Sequence, residues 1–97
     1  MSIRAKSTIE RIHGEDIRLQ GGTSWFVMME DYTTAHQWHR FSHVEVWGAD
    51  RADKYLMINL DVAGSIRTDN LKDAGLLRQL IDAPTSQPNC VRVRRAN

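Results

Sequence analysis

The chain has 97 residues, of which 41% are hydrophobic and 26% charged, with a formal net charge of +1. That length suits a single domain, 1–97, with a core of its own, and the near-neutral balance argues against a protein built to coat nucleic acid. The lone cysteine, Cys90, excludes an intramolecular disulfide, and no apolar run approaches the roughly 20 residues of a membrane-crossing helix. With no leader-like apolar stretch after Met1, the expected compartment is the cytoplasm.

Residues 1–7 are polar and basic and read as an unpinned terminus. Residues 7–13 and 16–20 flank His13-Gly14-Glu15-Asp16 and predict a hairpin, since glycine admits the positive φ of a tight turn. Ile9 and Ile12 break strict alternation, which points to a bulge. After Gly21-Gly22, the continuous run Trp25-Phe26-Val27-Met28-Met29 predicts a central strand covered on both faces. Residues 31–41 suggest a short helix capped by Thr33 or Thr34, with Ala35, Trp38 and Phe41 on one stripe.

Residues 43–62 carry the firmest pattern, two alternating strands around a polar turn at 48–54. Alternation puts Val44, Val46, Leu56, Ile58, Leu60 and Val62 on one apolar face. The other face then carries Trp47, Tyr55 and Met57, ringed by Glu45, Asn59 and Asp61. Residues 70–83 form the clearest helix, with caps available at Thr68, Asp69 or Asn70 and a stripe of Leu71, Ala74, Leu77 and Ile81. Gly75 inside that helix suggests a close approach to the sheet, and Pro84 ends it. A polar loop, 85–89, leads to a last strand with Val91 and Val93 inward and Arg92 and Arg94 outward. The fold expected from this order is α+β: an antiparallel sheet of about five to six strands with one principal helix, 70–83, packed on it.

Three groups of residues could carry chemistry. His36, His39 and His43 have helical spacing, and neutral imidazoles suit Zn²⁺, with Glu45 or His13 as a further ligand or base. No HExxH or Cys-x-x-Cys pattern accompanies them, so locally hydrogen-bonded histidines are the plainer reading and no metal or other cofactor is expected. Ser24, Ser42 and Ser65 lack a nucleophile-elbow context, and Cys90 at the start of a strand reads as an inert core thiol. A non-enzymatic role follows.

Trp47, Tyr55 and Met57 are residue types enriched in interface cores, and Arg92, Arg94 and Arg95 add a charged group. Together they predict a small regulatory or inhibitor-like protein-binding module, docking another protein or a second copy of itself as a homodimer. The alternative is single-stranded nucleic acid stacked on the same rings and held by the same arginines. A membrane partner is not expected.

Overall fold

The structure is a computed structural model and describes residues 2–48, 53–84 and 87–96. Its longest element is at the start, where β1 (Ser2–His13) runs for 12 residues. The basic first residues are therefore a strand, not an unpinned end. β1 pairs antiparallel with β2 (Asp16–Leu19) through its second half and with β4 (His43–Gly48) through its first. The remaining strands are β3 (Ser24–Val27), β5 (Tyr55–Asn59) and β6 (Cys90–Arg95). All pairs are antiparallel, and the order β1-β2-β3-β6-β5-β4 returns to β1, which closes a six-stranded barrel.

Closure corrects the expected α+β layer: the sheet is a ring, and the helices are short accessories to it. Two register shifts in β1, between Ile3 and Ala5 and between Ile9 and Arg11, leave Arg4 and Glu10 as extra residues. Such bulges raise the local twist, which lets one strand bend between two neighbours. The second bulge sits where Ile9 and Ile12 break alternation in the sequence. Gly14, at φ 59°, makes the tight turn from β1 into β2.

The barrel interior holds Ile9, Ile17, Leu19, Trp25, Val27, Val44, Val46, Met57, Val91 and Val93 in one buried cluster. Ala35 and Trp38 join this cluster although neither lies on a strand. They enter through an open end, so α1 (Tyr32–Ala35) and the turn after it act as a plug. The Trp38 indole donates to the Pro88 carbonyl at 2.9 Å, which fastens the plug to the approach of β6. A second cluster lies outside the ring: Trp47, Leu56, Ile58 and Cys90 pack against Leu71, Leu77 and Ile81. Both sides of β4 and β5 are therefore covered.

The face assignment for this hairpin needs correction. Val46 stands opposite Met57 and Trp47 opposite Leu56, so an even-numbered residue of β4 meets an odd-numbered one of β5. Directly opposed residues share a face, hence Val44 and Val46 go inward with Met57, while Trp47 goes outward with Leu56 and Ile58. A shift of one residue exchanges the faces of an entire strand. The expected turn itself falls largely on 49–52, outside the described residues, as do Thr85 and Ser86 of the later loop.

Three smaller expectations change as well. Of the run 25–29, only Trp25 and Val27 face the core; Met29 is 77% exposed. The expected helix 70–83 divides into a 3-10 segment, Thr68–Lys72, and α2 (Ala74–Asp82). Asp73 caps α2 by accepting from the amides of Gly75 at 2.9 Å and Leu76 at 3.2 Å, and Ala74 stays exposed. A Cβ on Gly75 would meet the Asp73 carboxylate at 3.3 Å and not the sheet, so this glycine serves the cap.

β3 is shorter than β6, and the shortfall is filled by a side chain. β3 ends at Val27, opposite Val93, which leaves the amide of Arg92 beyond its last partner. The carboxylate of Asp31, in the 3-10 turn Met29–Asp31, accepts from that amide at 2.7 Å and from the Arg92 guanidinium at 3.2 Å. The Met28 amide donates to the Arg92 carbonyl at 2.9 Å, and Glu30 pairs with the guanidinium at 3.0 Å. Asp31 and Arg92 are both buried, so removing one partner strands a desolvated charge. Asp31→Ala is expected to lower unfolding free energy by about 3–5 kcal/mol in urea titrations. Lys6→Ala, which removes an exposed ammonium 3.8 Å from Glu45, should change it by less than about 1 kcal/mol.

Candidate functional site

Three of the six expected contact residues come together at one cleft. Tyr55, Arg92 and Arg94 line a cleft of about 270 Å³ with Met28, Val93 and Ile81. The strands explain the grouping. Tyr55 opposes Val93 across β5 and β6, and Arg92 and Arg94 flank Val93 on the outward side of β6. The C-terminal end of α2 forms one bank of the cleft, and the segment after β3 forms the other.

The cleft is more apolar than charged. Arg92 is neutralised by Glu30 and Asp31 and works as part of the wall. Arg94 is exposed, with its guanidinium 5.1 Å above the Phe26 ring. Lys54, Asp53 and Asp82 also line the cleft. Neither Lys54 nor Arg94 has a carboxylate partner among the described residues. Met28 and Met29 project beside the cleft at 37% and 77% exposure. Methionine is flexible and polarisable, and it suits surfaces that mould to a partner.

The other expected contact residues lie elsewhere. Trp47 is covered by the second cluster, and its indole donates to Glu45 Oε1 at 3.0 Å. Met57 is fully buried inside the barrel. Neither can serve as a contact anchor, because the register places them on opposite faces and both faces are covered. The version of single-strand binding that relied on Trp47 loses its ring in the same way. Arg95 lies over Trp25, 5.8 Å from the ring centroid.

The structure does not bring the three histidines together. His36 Nε2 lies 3.0 Å from the Gly14 carbonyl, which can only accept, so that nitrogen carries the proton. The same ring stacks on Tyr32 at 5.7 Å. His43 points to the other side of the turn, with Nδ1 3.0 Å from Asp61 Oδ2 and its own amide donating to that oxygen at 2.8 Å. Among the described residues, no three His, Cys, Asp or Glu side chains gather to hold a metal ion.

The His43–Asp61 pair has the first half of a catalytic relay, a carboxylate orienting an imidazole. The nearest serine across the strands, Ser7, opposes Val44, and its hydroxyl donates to the Gln20 carbonyl at 2.8 Å. No serine, threonine or cysteine donates to His43 among the described residues.

Two features escaped the sequence. Phe41 leaves the expected apolar stripe and stands 58% exposed at φ 70°, with the Arg40 guanidinium 4.8 Å above its ring. Its amide is held by the Ile9 carbonyl at 2.8 Å. Arg11 and Arg40 meet His36 and His39 in a second cleft, of about 400 Å³, floored by Ile12 and Trp38. The one available signal was the grouping of His36, His39, Arg40 and His43, which helical spacing alone obscured.

Two titrations follow from this geometry. Burial, with Asp31 nearby, pushes the Cys90 thiol up to about 12. Cys90 should therefore be silent to a thiol reagent at pH 8 in the native state and react at once in denaturant. The amide and ring hydrogen bonds from His43 lower Asp61 below its ordinary 3.8. A lowered carboxylate stabilises the fold above its unfolded pKa, and that contribution fades as pH falls through the folded value. Thermal melts should show wild type above Asp61→Asn at pH 6, with the gap closing below about pH 4.

Comparison with family models, with curated proteins and with solved structures yields no match to this chain.

Proposed function

We propose that this protein is a non-catalytic binding module that acts through contact with another protein, using the Met28–Tyr55–Arg94 cleft as its docking site. The observation that carries this reading is the cleft itself: the apolar groups of Met28, Tyr55, Ile81 and Val93 beside Lys54 and Arg94, with Asp53 and Asp82 on the rim. Protein interfaces concentrate their energy where an anchor side chain fills such a pocket inside a polar rim. The ligand that fits is an extended segment presenting a large apolar side chain next to a carboxylate. The apolar group enters between Met28 and Ile81, and the carboxylate meets Arg94 or Lys54.

An inhibitor or an adaptor would act through such a site without chemistry of its own. A second copy of the chain is the other occupant of the same class, and it would make the cleft a homodimer contact. Among the described residues no helix is long and apolar enough to cross a membrane. A cytoplasmic setting, where protein partners are abundant, accords with the single buried thiol.

Panning a random peptide library against the protein tests the reading. Selected peptides should share a large apolar residue flanked by Asp or Glu and bind at least ten-fold more weakly to Met28→Glu and to Arg94→Glu. Both substitutions lie on exposed positions and should leave the thermal melt within a few degrees of wild type. Peptides without that consensus, or with unchanged affinity for both variants, would place the docking site elsewhere.

A further inference from the structure

We infer that the second cleft, between β1 and the turn before β4, binds a phosphate of single-stranded nucleic acid, with Phe41 as the stacking platform for an unpaired base. This inference is independent of the docking reading, because the two clefts share no lining residue.

Electrostatics comes first. The cleft is lined by Arg11, His36, His39 and Arg40, and no carboxylate lines it. The acidic side chains nearest in sequence are engaged elsewhere. Glu10 Oε2 pairs with Arg18 Nε at 3.1 Å, and Glu15 Oε2 accepts from the Tyr32 hydroxyl at 2.8 Å. The side chains of Arg11 and His39 have no ion-pair or hydrogen-bond partner among the described residues. Arg40 donates through Nε to the Glu10 carbonyl at 2.9 Å, which fixes the side chain and leaves its terminal nitrogens for a ligand. His36 spends its Nε2 proton on the Gly14 carbonyl and shapes the wall, leaving the phosphate to the other three side chains. Three such donors, Arg11, His39 and Arg40, around one opening make a receptor for a phosphate oxygen.

The aromatic residue narrows the ligand. A bulky L-residue at φ 70° is a true outlier, and strained backbone held in place by its surroundings is a mark of a working site. Here the strain projects a ring into solvent, 58% exposed, with a guanidinium lying over it. A burial role is excluded by that exposure. A duplex offers no exposed base face, and an inorganic anion or acidic peptide gains nothing from the exposed face of the ring. An unpaired nucleotide uses both elements, its phosphate on the arginines and its base on Phe41.

The experiment is fluorescence anisotropy of labelled dT15 titrated with the full chain from 50 to 200 mM NaCl. Saturable binding is expected, with a log–log salt slope of about −0.7 per phosphate held, or about −1.4 if Arg11 and Arg40 each hold one. Arg11→Ala should weaken binding, and reduce that slope by about 0.7 where each arginine holds its own phosphate. Phe41→Asn keeps a residue that tolerates positive φ and should weaken binding roughly ten-fold or more with little change in slope.

Arg11 is exposed and partnerless, so its variant stays informative even if Phe41→Asn folds poorly. Absence of dT15 binding at 50 mM NaCl would overturn the inference. So would equal affinity in both variants, or displacement of dT15 by a matching duplex at the same strand concentration. Competition by inorganic phosphate at micromolar concentration would assign the cleft to a free phosphate ligand and overturn the nucleic-acid assignment.

Discussion

Everything in this molecule depends on β1 serving two neighbours at once. A single strand can close a ring only if it bends, and the extra residues at Arg4 and Glu10 let it do so. Closure then decides what is core. Side chains pointing into the ring are sealed on all sides and need only a plug, which Ala35 and Trp38 supply. Side chains pointing out must find cover or remain at the surface. Leu71, Leu77 and Ile81 cover β4 and β5, and among the described residues this outer cluster takes in no side chain of β1, β2 or β3.

That asymmetry gives the near-neutral net charge a different meaning. Asp69, Asp73 and Asp82 outnumber Lys72 and Arg78 over residues 68–82, while Arg4, Lys6, Arg11 and Arg18 outnumber Glu10, Glu15 and Asp16 over β1, β2 and the turn between them. Charges of opposite sign cancel in the total and still leave local fields within a Debye length of about 8–10 Å. Both candidate clefts occur where the wall meets a segment that leaves the barrel. In each, cations stand beside an exposed apolar side chain, methionine in one and phenylalanine in the other.

Much of the local structure was legible in the sequence. Gly14, the alternation of 43–48 and 55–59 and the pattern of 90–95 mark elements that form where their residues indicate, whereas the helix expected over 70–83 forms as an α-helix only over 74–82. What could not be read was how the elements face one another. The relation of Trp47 to Met57 rests on cross-strand register, set by a connection whose conformation periodicity does not encode. Ring closure rests on the pairing of β1 with β4, a contact between residues some forty positions apart, for which a single sequence carries no local signal. The clefts were legible only as residue types. Arg92 and Arg94 were evident as cations, but their unequal roles, one embedded and one presented, come from Asp31, which sequence position alone would assign to solvent.

The Asp31 carboxylate stands where a strand would otherwise continue beside β6. A closed barrel is protected from edge-to-edge association because it offers no unpaired ladder, and this one is complete at that seam only because a side chain imitates a backbone acceptor. The seam is therefore the place where a foreign strand could enter. An unfolding fluctuation that lifts the Met29–Asp31 turn would expose the Arg92 amide and carbonyl together, a ready template for pairing with another chain. Solubility of this protein over time, as distinct from its equilibrium stability, thus rests on how seldom one short turn opens.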